Sequence, residues 1–338
     1  MTTGLGRWTG LVAAAVLVAL PALAADQVTF GTNWKAQAEH GGYYQAVVDG
    51  TYASHGLEVT IRQGGPNINH PQLLAAGKID FNMGGNMFAA FNYLASKVPM
   101  VTVAAAFQKD PQVLMVHPDS PYRSLADLKG ATLLIGRGGQ VSFWQWLKHA
   151  YGFSDEQIRP YTFNPAPFIA NKDWAQQGYV TSEPFSVERE GGFTPRVFLL
   201  ADNGYAGYST TIETSWKMVD ENPDLVQRFV DATAIGWVNY LYGDPGAANA
   251  LIRKDNPDIS DEQIAYSIAK MKEYGIVDSG DSLAMGINAM TDARWRSFYD
   301  FAVGAGLYAA DLPLERGYTL QFVNKGVGLD RKKELLGR

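Results

Sequence analysis

Four short apolar stretches decide how this chain folds: Val28-Thr29-Phe30-Gly31-Thr32, Leu57-Glu58-Val59-Thr60-Ile61-Arg62, Ile79-Asp80-Phe81-Asn82-Met83 and Met100-Val101-Thr102-Val103-Ala104-Ala105-Ala106. Each is rich in β-branched or aromatic residues and predicts a strand. Between them lie segments with helical spacing, at 43–52, 71–76 and 87–95. Strands alternating with helices build βαβ units, so the expected class is α/β with a largely parallel sheet. A second series follows His117-Pro118. It contains helices at 125–128 and 141–151, strands at 132–135, 179–181 and 197–200, and an extended piece at 161–163. A glycine-rich crossing occupies 202–208.

The final third is helical. Leu225, Phe229, Ala232, Gly236 and Tyr240 share one helical face. Ser260 with Gln263 forms a capping box for a helix through Met271, and Thr291 caps another that runs to about Val303. Two α/β runs joined by two crossings, near 115–118 and 202–210, predict two lobes around a cleft. The first lobe is then 25–116 with 209–338, and the second is 117–208. Ligands of open α/β sheets sit beyond the carboxyl ends of strands, so the cleft is the expected site.

Composition narrows the chemistry. The chain has 338 residues, 46% hydrophobic and 18% charged, which describes a globular protein. It has no cysteine, which excludes disulfides, thiolate metal sites and cysteine nucleophiles. A net charge of −6 argues against binding nucleic-acid phosphates. The N-terminus shows Arg7, an apolar run at 11–20 and Ala22-Leu23-Ala24, the order of a signal peptide at 1–24 cleaved after Ala24. The five histidines lack metal-binding spacing, and no serine sits in a nucleophile elbow. No metal, cofactor or catalytic residue is therefore expected.

Candidate binding residues lie at predicted strand ends. Trp34 follows the first strand and can offer a flat face to an aromatic ligand; packing over its own sheet is the alternative. Gly84-Gly85-Asn86 ends the third strand, where Asn86 is either part of a polar cradle or a helix cap. Gly136, Gly138 and Gly139 precede a helix, so backbone N–H groups at 139–142, with Gln140 and Ser142, either receive a polar group or simply turn the chain. Strand alternation through Tyr179, Thr181 and Glu183 puts these three on one side. Glu183 can then accept N–H bonds from an amino-heterocycle, unless it is a solvated surface acid.

The run Asn33-Trp34, His40, Ala46, Gly50 and Gly56-Leu57-Glu58-Val59 resembles the start of solute-binding proteins of the thiamine-pyrimidine-precursor group. That group includes a eukaryotic pyrimidine-precursor synthase and is related to sulfonate- and taurine-binding proteins. The likeness continues through Ala76-Gly77-Lys78-Ile79-Asp80, Asp127-Leu128-Lys129-Gly130, Gly178-Tyr179, Glu183, Asn222-Pro223-Asp224 and Asp244-Pro245.

The resemblance implies a bilobal periplasmic-binding-protein fold of type II. It implies a monomeric periplasmic receptor that hands a small planar nitrogen heterocycle to an inner-membrane ABC permease. Carried over, Trp34 and Tyr179 would sandwich the ring and Glu183 would bond its aminopyrimidine edge, with His40 and Tyr43 near the same cleft. The synthase members carry a cysteine-rich motif that this chain lacks, which separates it from the enzymes. A receptor for an aliphatic sulfonate is the alternative. A buried carboxylate disfavours that reading, because it repels an anion.

Overall fold

The computed structural model describes residues 1, 24–65 and 68–337. The signal peptide expected at 1–24 lies almost entirely outside these residues. Ten strands form two five-stranded sheets. They are β1 (Asp26–Gly31), β2 (Leu57–Arg62), β3 (Phe81–Asn86), β4 (Met100–Phe107), β5 (Gln112–Val116), β6 (Leu133–Ile135), β7 (Ile158–Pro160), β8 (Ala175–Tyr179), β9 (Arg196–Leu199) and β10 (Ser209–Ser215). The first sheet has the order β2-β1-β3-β10-β4 and the second β7-β6-β8-β5-β9.

The sheets are mixed, not largely parallel as the alternation implied. In each, one strand runs against its neighbours: β10 against β3 and β4, and β5 against β8 and β9. These are the strands entered directly from a crossing. A chain leaving a strand at its cleft-facing carboxyl end enters the other sheet from the cleft side, so the strand it enters must run away from the cleft. Crossover helices reset direction elsewhere.

The first crossing lies between Phe107 and Gln112, earlier than the expected 115–118. Val113, Leu114, Met115 and Val116 are fully buried, and an apolar run of this kind belongs inside a sheet, not in a linker. The return crossing lies between Leu199 and Ser209.

The first lobe is organised around aromatic contacts. Phe229, on the helix Pro223–Tyr242, stacks on Phe81 with ring centroids 4.2 Å apart and reaches Phe30 at 5.6 Å. The same helix lies tightly on the helix Gly41–Val48. A Cβ on Gly42 would sit 2.3 Å from the Trp237 ring, and one on Gly236 would sit 2.3 Å from the Gly42 carbonyl oxygen. Each fully buried aromatic side chain stabilises this layer by roughly 1.5–3 kcal/mol. Ser260 and Thr291 accept bonds from the Gln263 and Arg294 backbone N–H groups and cap helices Asp261–Glu273 and Asp292–Gly304.

Among the described residues no helix is long and apolar enough to cross a membrane.

Candidate ligand cleft between the sheets

The loop after β1 sets one wall. Thr32 Oγ1 donates to the Trp34 carbonyl oxygen, which also accepts the Gly64 N–H at 3.0 Å. A Cβ on Gly64 would lie 2.3 Å from the Thr32 carbonyl oxygen, so glycine is what lets the two loops meet. Gln63 fixes the next turn, accepting the Ala36 N–H at 3.0 Å and donating to the Asp255 carbonyl oxygen at 2.7 Å. The Trp34 ring is thereby presented half-buried at the carboxyl end of the sheet.

The second sheet supplies the opposite wall. β8 ends at Tyr179, and Glu183 opens the helix Glu183–Gly191. The expected alternation through Thr181 and Glu183 therefore does not hold, because a turn intervenes. Glu183 instead folds back, and its Oε2 accepts the Tyr179 backbone N–H at 2.7 Å. Burial raises its carboxyl pKa above the usual range, partly opposed by that bond.

Between these walls is a cleft of about 270 Å³ lined by Trp34, Lys35 and Gln37 on one side, by Tyr161, Phe163, Glu183 and Glu190 on the other, and by Asn256 and Asp258 from the loop before the helix Asp261–Glu273 and Gln263 from that helix. Phe163 faces Trp34 across it, with ring centroids 5.4 Å apart. Phe163 is 60% exposed and has φ +63°. An exposed aromatic ring on a left-handed backbone is strained by about 1–3 kcal/mol, the kind of outlier that marks a functional position.

The other sequence candidates divide. Tyr179 does not line this cleft; burial and then the Asp110, Glu39 and Glu183 carboxylates raise its phenol pKa. His40 is fully buried. Its Nε2 lies 3.3 Å from Asn33 Oδ1, its Nδ1 has no partner, and desolvation lowers its pKa to about 3, so it is neutral. Tyr43 belongs to the core, with its ring 4.4 Å from Phe30 and edge-on to Trp237.

Asn86 turns the chain into the helix Phe88–Ala95 from the end of β3, its Oδ1 accepting the Phe88 N–H at 3.2 Å, while Met87 holds the cap position itself. The space above Gly84 is not a ligand cradle, since a Cβ there would lie 2.0 Å from Glu213 Oε1. Gln140 donates to the Ile135 carbonyl oxygen and Ser142 to that of Gly138, while Gln177 Oε1 accepts the Gly136 N–H at 2.7 Å. The Gln140 and Ser142 side chains thus bond back onto the turn itself.

Sequence reasoning missed Phe163, read only as part of an extended piece, and the buried acid Glu39, and it gave Thr181 no role beyond a shared strand face. Glu39 and Thr181 meet across the lobes, Thr181 Oγ1 bonding Glu39 Oε1. Burial raises the Glu39 pKa to about 7, with the Thr181 bond opposing and Glu183 adding to it. Nothing in local pattern marks Glu39 as buried, because its cover comes from segments far along the chain, Thr181 of the second lobe and the helices Pro223–Tyr242 and Asp261–Glu273 of the first. Among the described residues no group of three His, Cys, Asp or Glu is placed to hold a metal.

A family model described as NMT1/THI5 like matches residues 37–248. The chain belongs to the NMT1/THI5-like family. The riboflavin-binding protein RibY of Chloroflexus aurantiacus is 26% identical over 319 residues, covering 89% of this chain and 87% of RibY. Among solved structures, the periplasmic aliphatic sulphonate binding protein SsuA of Escherichia coli aligns with a TM-score of 0.64 at 15% identity, covering 86% of this chain and 91% of SsuA. The desulfurization enzyme DSZB aligns with a TM-score of 0.55 at 16% identity, covering 90% of this chain and 99% of DSZB. The family agrees with the resemblance read from the sequence, and the architecture is that of periplasmic binding proteins. That fold holds receptors and an enzyme alike, so function has to be argued from the cleft.

Proposed function

We propose that this protein is the exported solute receptor of an ABC importer and that its cleft captures a small planar nitrogen heterocycle. The observation that carries the reading is the Trp34–Phe163 pair, one ring from each side, with the Glu183 carboxylate in the same cleft. At 5.4 Å the rings touch each other. A flat ligand between them needs about 7 Å, two contacts of roughly 3.5 Å, so the lobes must part to admit it and close again on it. Glu183 then accepts an N–H from the ring edge. A pyrimidine precursor of thiamine and the isoalloxazine of riboflavin, the solute named for RibY, both present this chemistry.

The sulfonate reading has less support. Glu183, Glu190 and Asp258 line the cleft, and its Lys35 is already paired with Asp258 at 3.0 Å. An anion would meet the Glu183 and Glu190 carboxylates, neither of which has an ion-pair partner among the described residues. A thermal-shift comparison tests the proposal, since a ligand of the folded state raises its melting temperature. Riboflavin or an aminopyrimidine should raise it and MOPS should not. A shift with MOPS alone would replace the heterocycle with a sulfonate, and turnover of the bound compound would make the protein an enzyme.

A further inference from the structure

Glu39 lies where the two sides of the cleft meet. It precedes His40 in the turn Ala38–His40, next to the helix Gly41–Val48 of the first lobe. Thr181, its hydrogen-bond partner, follows β8 in the second. Ser267, on the helix Asp261–Glu273, closes over the contact and donates to the Thr181 carbonyl oxygen at 2.6 Å. All three residues are buried.

No cation compensates the carboxylate. Among the described residues Glu39 has no salt bridge. The titratable groups around it are Glu183 and Tyr179 from the second lobe, Tyr240 from the helix Pro223–Tyr242, and the neutral His40 beside it. The helix Asp261–Glu273 contributes uncharged groups here, Ser267 to Thr181 and Gln263 to Ser182. A carboxylate sealed among neutral and acidic groups is stable only when it holds a proton.

We propose that Glu39 is a proton-binding site completed by the meeting of the lobes, so that closure, and with it solute capture, takes up one proton. This rests on the reading that the lobes open and close around a solute, not on which solute it is. In the closed form burial holds the Glu39 pKa at about 7, against 4.5 for a solvated glutamate. A group that binds its proton more tightly in one form favours that form as the pH falls. Closure therefore gains from about pH 7 down to about pH 4.5 and gains nothing above that window. Across it the closed-to-open ratio should rise ten- to a hundredfold.

The absence of cysteine allows a clean measurement. Spin labels on Lys78→Cys and Lys172→Cys, exposed sites in the first and second lobes, report lobe separation without any solute. The closed fraction should grow as the pH falls from 8 to 5. Glu39→Gln should be more closed at pH 8 and lose the response. Thr181→Val removes a bond that lowers the Glu39 pKa, so it should move the response to higher pH; this also decides the matter if Glu39→Gln does not fold.

A flat response in the parent protein, a response that survives Glu39→Gln, one that disappears with Glu183→Gln, or one that stays put in Thr181→Val would each overturn the proposal. Because no solute is present, a failed ligand screen leaves this result standing, and a flat pH response leaves the ligand reading untouched.

Discussion

Glu213 is buried and Glu183 half-buried, both with raised pKa values, yet their oxygens are used in opposite ways. Glu213 sits inside the first sheet on β10, where Asn82 Nδ2 and Tyr93 Oη donate to its Oε2 at 2.8 and 2.9 Å and Thr211 Oγ1 reaches its Oε1 at 3.4 Å. Gly84, lacking a side chain, leaves it room. Both of its oxygens are therefore engaged within the lobe. Glu183 has one oxygen bonded to the Tyr179 N–H and lines an open cleft. The difference teaches that burial alone does not make an acid functional. What matters is whether its acceptor capacity is used up inside one lobe or left facing the space between two.

The largest expected effect breaks the satisfied side of this comparison. Glu213→Ala strands the Asn82 amide and the Tyr93 hydroxyl and should cost about 3 kcal/mol of stability in denaturant unfolding. The affinity of the folded fraction should not change. Loss of solute binding at full stability would place Glu213 in the site after all.

The pH dependence comes next. Burial holds Glu213 at about pKa 7, raised from 4.5. Between these values the folded form keeps its proton while the unfolded chain releases it. Stability should therefore fall as the pH rises through this window, by about 1.4 kcal/mol per pH unit for such a group. Glu213→Gln should make the melting curve less steep in pH.

The cleft side is probed by smaller changes. Trp34→Ala should weaken heterocycle binding by about 1–3 kcal/mol and Glu183→Gln by about 1–1.5 kcal/mol, read by calorimetry, with little effect on melting. Phe163→Gly gives the sharpest sign test, because glycine accepts φ +63° without strain. It should lower affinity and leave stability unchanged or raise it by up to about 1 kcal/mol. A fall in stability with unaltered affinity would make Phe163 a packing residue.

Much of this was legible in the sequence. β2 matches its predicted span, the Ser260 and Thr291 caps are where the pattern puts them, and Trp34 does project from the end of β1. These are local readings, governed by side-chain alternation, caps and strand ends. Tyr43 shows the limit. At the sequence level it looks like the opening of a cleft helix, but the face it occupies is decided by Trp237, nearly two hundred residues on. Glu183 shows another, since a turn after β8 re-aims everything that follows.

The sequence by itself determined the α/β class, the alternation of elements, the family likeness and the lack of thiol chemistry, because each is written in neighbouring residues or in composition. Only the tertiary structure decided which strands run backwards, that Phe163 and not Tyr179 faces Trp34, and that Glu39 is sealed by Thr181. The physical reason is the same in each case. Strand direction, ring pairing and desolvation arise where distant segments meet, and no local period records that meeting.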